Sequence, residues 1–140
     1  MADDLQRISD RLDIEDLLTR YAFFLDDRDF DALKELFVPG ARMDYEASGG
    51  LAGERDEMVE WLRETVSTFP MSEHVITNRL ITVAGDEANS RSYLYNPMLL
   101  PGGKITFLGG RYHDRFTRTP DGWRFAERVI VKITWTDGWD

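Results

Sequence analysis

The feature that most constrains this chain is a change of period near its middle. Before Pro70 the apolar residues recur at three- and four-residue spacings; after His74 they alternate residue by residue. A helical face repeats about every 3.6 residues and a strand face every second residue, so the two halves demand different elements. Ile8, Leu12, Leu18, Tyr21, Ala22 and Leu25 predict a helix from Leu5 to about Asp26. Asp29 is placed to cap a short helix from Phe30 to Phe37, ended by Pro39-Gly40. "ARMDYEA" reads as a strand. "GERDEMVEWLRETVSTF" reads as a third helix, with Met58, Trp61, Leu62 and Val66 on one face and Pro70 at its end. Strand-rich runs follow: "HVITNRLITVAGDEANSRSYLYNPMLL", folded at Gly85-Asp86, then "KITFLGGRYHDRFTRT" and "WRFAERVIVKITW", joined by Pro120-Asp121-Gly122. Helices first and a long antiparallel meander second predict an α+β fold with helices on one face of a sheet. A strongly curved sheet under three helices would be a cone, and Gly109-Gly110 suits a bend in it.

A chain of 140 residues is expected to form one domain, residues 1–140, with a substantial core. The formal charge of −9 disfavours phosphate backbones and anionic lipid, so neither nucleic acid nor membrane is an expected partner. A neutral or cationic small molecule meets no such barrier. There is no cysteine, hence no disulfide framework, thiolate metal site or thiol nucleophile, and two histidines make a metal site unexpected. "MADDLQRISD" lacks the apolar stretch of a signal peptide and no run is long enough to span a bilayer, so the expected location is cytoplasmic.

Alternation also sorts the polar residues by face. Leu108, Tyr112, Asp114 and Phe116 share an apolar face; Arg111, His113, Arg115 and Thr117 share the other, which makes His113 a solvated histidine. Ala88, Ser90, Ser92, Leu94, Asn96 and Met98 form a face of small and apolar residues with room for a ligand on a concave sheet. Trp123, Phe125, Val129, Val131, Ile133 and Trp135 read as core, and Glu127 among them would need a partner or a raised pKa. His74 opens a strand on the parity of Ile76, Asn78 and Leu80, a mixed face that suits a packed structural histidine or a catalytic one. In "RYAFFLDDRDFDALKELF", Asp26 lies at the edge of the helix's apolar face, Asp27 points away and Asp29 is the cap. These acids form either a solvated connection or a turn with one carboxylate facing in.

The segments "RYAFFLDDRDFDALKELFVPGARMDY", "SEHVITN" and "GGRYHDRFTRTPDGWRFAERV", in that order and spacing, resemble the SnoaL-like branch of the nuclear transport factor 2-like superfamily, over about Leu5 to Trp135. The resemblance implies a cone of curved antiparallel sheet closed by three N-terminal helices. The superfamily includes polyketide cyclases, scytalone dehydratase, bile acid dehydratase, lindane dehydrochlorinase, ketosteroid isomerase and proteins with no catalytic role. Its dehydratases and dehydrochlorinase use an Asp–His pair, and Asp26 and His74 match those positions. Tyr21 matches a tyrosine of the bile acid dehydratase pattern. Tyr45 matches a tyrosine that contacts the leaving oxygen or carbonyl. Asn96 falls where the bile acid enzyme carries an acid. Ser92 and Tyr93 stand near the second histidine of scytalone dehydratase, and Tyr112 and Asp114 near its Ser and Asn.

The resemblance thus implies a cofactor-independent lyase or isomerase acting on a hydrophobic, cyclic, oxygenated small molecule. His74 would be the base, Asp26 would orient it, and Tyr45, Tyr21 or Asn96 would donate to a developing negative charge. Tyr112, Asp114 and aromatics among Phe24, Trp61, Phe107 and Phe116 would bind the ring. Such chemistry calls for no metal. Two alternatives are an aldol-closing polyketide cyclase, where an acid acts alone, and a non-catalytic binding module. Phe23 lies opposite the apolar stripe and "RVIVKITW" is apolar on both parities in part, so oligomerisation is expected, and the family resemblance implies a homodimer or homotrimer, between which the sequence does not choose.

Overall fold

A computed structural model describes residues 1–139, apart from the side chains of Lys132 and of residues 135–139. Trp135, expected in the core, therefore lies outside the described side chains. The elements are α1 (Ala2–Asp26), α2 (Phe30–Glu35), β1 (Phe37–Asp44), β2 (Ala52–Glu54), α3 (Arg55–Val66), β3 (Met71–Ser72), β4 (Val75–Ala84), β5 (Glu87–Leu99), β6 (Ile105–Thr119) and β7 (Gly122–Trp139). The sheet runs β2-β1-β7-β6-β5-β3, with β4 also paired to β5. Among the described residues, no helix is long and apolar enough to cross a membrane.

The sheet is mixed rather than purely antiparallel, because β1 pairs parallel to β7. The hairpins β4–β5, β5–β6 and β6–β7 must be antiparallel. β1 reaches β7 through the whole intervening chain, and so long a connection leaves its direction unconstrained. Pro39-Gly40 does not stop α2, as expected, but lies inside β1. There the pairing with β7 shifts between Phe37 and Arg42, where a residue without an N–H costs no ladder bond.

The buried stripe of α1 is Asp10, Ile14, Leu17, Leu18, Tyr21, Ala22 and Leu25. Ile8 and Leu12, expected on it, are 56% and 59% exposed. The stripe passes through Asp10 instead, whose carboxylate accepts from Arg118 at 2.9 and 3.0 Å, Trp123 Nε1 at 3.0 Å and Gln6 at 3.0 Å. Arg118 holds this carboxyl down at about 2 against the opposing effect of burial.

On β5 and β6 the predicted faces hold: Ala88 through Met98 at even positions, and Leu108, Tyr112, Asp114 and Phe116, are buried. β7 departs. Phe125 pairs with Phe116, but Glu127 pairs with Arg115, so Ala126 is an extra residue and the face inverts. Val129, Val131 and Glu127 therefore do not take the core positions expected of them. Arg128 and Ile130 do, at 0% and 5% exposure. A second shift, between Gly109 and Arg111, coincides with the bend expected there. The rings of Tyr21, Phe37, Phe116 and Phe125 pack together beneath, with Phe37 and Phe125 stacked at 4.7 Å.

Candidate active site

The site begins at the end of α1. Arg28 takes φ 61 there, a left-handed conformation that favours glycine. The backbone closes as glycine would close it: Arg28 N–H donates to Leu25 O at 3.2 Å and Asp29 N–H to Phe24 O at 2.8 Å. Asp29 then caps α2 by accepting from Ala32 N–H at 3.2 Å. The Arg28 guanidinium folds back under the helix, donating to the Leu25 and Asp26 carbonyls at 2.9 and 3.2 Å, to Phe69 O at 2.9 Å and to Ser72 Oγ at 2.8 Å. A carboxylate at a helix C-terminus faces the negative end of the helix dipole, and this cation offsets that penalty for Asp26.

Asp26 accepts three hydrogen bonds. Oδ1 receives Ser72 Oγ–H at 3.0 Å and His74 Nδ1–H at 2.6 Å; Oδ2 receives the His74 backbone N–H at 2.8 Å. Ser72 must give its proton to Asp26, since Arg28 already donates to its oxygen. Diverting the His74 backbone N–H to Asp26 explains why the ladder along β5 breaks between β3 and β4. Ser72 pairs with Met98 and Val75 with Tyr95, so His74 stands across from Asn96 on the inner face. Asn96 Nδ2–H donates to His74 Nε2 at 3.2 Å. With Nδ1–H committed to Asp26, Nε2 carries the lone pair. The His74 side chain is 7% exposed. Asn96 Oδ1 is buried and has no partner among the described residues.

His74 and Asn96 border a cavity of about 160 Å³ that Tyr21, Tyr45, Trp61 and Tyr112 also line, within a wall of aliphatic side chains that includes Leu62, Leu94, Leu108 and Ile130. Asp26 is not on its surface; it sits behind His74, beside an outer groove with Phe23 and Ile76. The Tyr21 and Tyr45 hydroxyls are hydrogen-bonded to each other. Burial pushes all three phenols up, those of Tyr45 and Tyr112 well up, so each is a protonated donor at neutral pH.

Beneath the tyrosines lies Arg128, 3.6 Å over the Tyr112 ring and 4.1 Å over that of Tyr21. It donates to both oxygens of Asp114, at 2.8 and 2.9 Å. Burial opposes the charge of Arg128, but the Asp114 carboxylate outweighs it and holds the proton firmly. Burial likewise raises Asp114 against the pull of Arg128. Arg128 Nη1 has no partner among the described residues. Alternation did not find Arg128, because the inverted face on β7 hides it. An available signal was Asp114 itself: an inward carboxylate on one strand calls for a cation on the next.

The structure thus brings Asp26, His74, Tyr21 and Tyr45 together, with Asn96, Tyr112 and Trp61 around them. Four residues expected to contact a ligand do not line this cavity. Phe24 faces an outer depression with Arg20, Leu36 and Trp123, because it lies one helical step past the buried stripe. Phe107 has odd parity on β6 and stacks on Tyr95 at 5.4 Å, on the convex face. Phe116 is fully buried against Phe125, and Asp114 is consumed by Arg128. No group of three or more metal-ligating side chains occurs among the described residues.

Comparison with known proteins agrees with this architecture. The SnoaL-like domain family model matches residues 6–129. An uncharacterized protein of Mycobacterium tuberculosis is 42% identical over 127 residues, covering 89% of this chain and 86% of its own. A crystal structure of a provisionally named scytalone dehydratase from Novosphingobium aromaticivorans is 28% identical, with TM-score 0.83 over 98% of this chain and 91% of that one. A hexachlorocyclohexane dehydrochlorinase from Novosphingobium barchaimii, 19% identical, has TM-score 0.82 over 97% and 96% of the two chains, a likeness of fold alone. By its sequence, its curled sheet and its three helices, this chain belongs to the SnoaL-like family of the nuclear transport factor 2-like superfamily.

Proposed function

We propose that the cavity is the active site of a cofactor-independent lyase that removes a proton from carbon and expels a β-hydroxyl from a cyclic, oxygenated small molecule. The observation that carries this reading is the imidazole of His74, oriented from behind by Asp26 and presenting the Nε2 lone pair to an apolar cavity. Nε2 accepts the proton alpha to a carbonyl, and the carboxylate of Asp26 stabilises the imidazolium that forms. The C–H electrons form the new double bond as the C–O bond breaks. The Tyr21–Tyr45 pair supplies a proton donor to the oxygen on which charge develops. The departing hydroxyl leaves as water, and the proton held by His74 restores the donor. General acid–base help of this kind is worth about 10²–10⁴-fold in rate. Asn96 must yield its hold on Nε2 when substrate enters, and its unpartnered Oδ1 can then take a substrate hydroxyl.

The test is dehydration of 3-hydroxycyclohexanone, a one-ring β-hydroxy ketone, followed by the absorbance of the enone. His74→Ala and Asp26→Asn are expected to abolish it; full activity in both variants would refute the dyad. The hydrogen bond from Asn96 to Nε2 favours one other reading, a non-catalytic binding module in which His74 is a structural tie. The position of Asp26 behind His74 speaks against an aldol-closing cyclase in which that acid acts alone on substrate.

A further inference from the structure

We propose that Trp61 and Gly50 limit the ligand to a single ring, so that the substrate class is a monocyclic, uncharged ketone or alcohol. The size limit stands on the cavity; the reaction class rests on the dyad reading above. A cavity of about 150 Å³ lined by aliphatic and aromatic side chains takes up benzene, whereas pockets for drug-sized ligands span about 300–1,000 Å³. At about 160 Å³, this cavity belongs with the first. One six-membered ring with an oxygen or two fills it, and two fused rings exceed it.

The wall that sets this size is built on purpose-fitted contacts. The Trp61 ring stands edge-on to Tyr45, with centroids 5.9 Å apart. Its far edge rests on Gly50, where a Cβ would come within 2.4 Å of Cη2 and 2.6 Å of Cζ2. Gly50 does not adopt a positive φ, unlike its neighbour Gly49. Its missing side chain therefore serves space rather than backbone conformation: it seats the indole across the cavity. The same indole presses on Tyr45, so the residue that measures the ring also positions the proposed proton donor. The hydrogen-bonded pairs Tyr21–Tyr45 and Asn96–His74 bring polar groups to a lining that is otherwise mostly aliphatic and aromatic, with Ser48, Thr65, Ser72 and Tyr112 its other polar side chains, which suits a neutral oxygenated ring.

The experiment measures equilibrium binding of phenol and of 2-naphthol to the full chain by titration calorimetry. In the wild type, phenol is expected to bind about tenfold or more tighter than 2-naphthol. Trp61→Ala should bring the two affinities level or invert them, and the milder Trp61→Leu should move the ratio the same way. Gly50→Ala, which must unseat the indole, should also relax the ratio. The proposal is overturned if the wild type binds 2-naphthol as well as phenol, if it binds neither, or if the Trp61 variants keep the wild-type ratio. A size limit that persists while His74→Ala and Asp26→Asn remain active would refute the dyad and leave this inference standing.

Discussion

Replacing Asp26 by Asn changes one atom, and the hydrogen bonds dictate where the change must propagate. The position of Oδ2 faces the His74 backbone N–H, a group that can only donate. The amide oxygen of the variant must therefore sit there, and its NH₂ must take the position of Oδ1, facing His74 Nδ1 and Ser72 Oγ. Nδ1 then has to accept, which moves the imidazole proton to Nε2. Nε2–H in turn meets the amide of Asn96, which must rotate to offer Oδ1, the atom that has no partner among the described residues of the wild type. One substitution thus inverts the tautomer and turns a second residue 180° in sense. The base lone pair leaves the cavity. Loss of a tautomer-fixing carboxylate costs about 10⁴-fold in turnover in the serine-protease triad, and a loss of about 10³–10⁴-fold is expected here. Three bonds to a charged acceptor become bonds to a neutral amide, at roughly 1 kcal/mol each, so stability should fall by about 2–3 kcal/mol. Nitrogen-15 NMR of the histidine ring reads the tautomer directly, without any substrate. The wild type should show Nδ1 protonated and Nε2 free at neutral pH, and Asp26→Asn the reverse. An unchanged tautomer in the variant, or an unchanged rate, would refute this chain of reasoning.

Three further outcomes follow from the same contacts. Asn96→Asp replaces the amide donor at Nε2 by a carboxylate, which accepts and so engages Nε2 only as Nε2–H; the lone pair is then no longer available as a base, and enone formation from 3-hydroxycyclohexanone should fall by about 10²-fold or more. Asp10 is held at about 2 in the folded protein, below its ordinary 3.8, so its contribution is fully present above about pH 4 and lost as pH falls through 2. Asp10→Asn should cost about 1–2 kcal/mol at pH 6, allowing for the partly exposed Arg118, and progressively less in denaturation curves taken toward pH 2. Arg128→Met strands Asp114 in the core and should cost about 3–5 kcal/mol, much of it recovered in the double variant with Asp114→Leu, as measured by urea unfolding.

The fold was legible wherever periodicity rules. The three helices, the four long strands and the inner faces of β5 and β6 follow from spacing alone. What periodicity could not supply lies at points where the period breaks, and the candidate site is assembled from those points. Asp26 ends a helix that Arg28 closes in a glycine's conformation; no propensity favours an arginine there, and only its side-chain bonds beneath the helix account for it. His74 occupies the gap between β3 and β4, where its N–H has left the ladder for Asp26. Arg128 faces inward because Ala126 is one residue too many for the pairing with β6. Were Ala126 paired regularly with Arg115 instead of bulged, Glu127 and Val129 would turn toward the cavity, leaving Asp114 without its cation and Tyr112 without the charge beneath it. An inserted residue in β7 thus couples the register of the sheet to the electrostatics under the tyrosines. The resemblance to the SnoaL-like family placed Asp26 beside His74 in advance; the bulge shows what regular alternation would have taken from the same site.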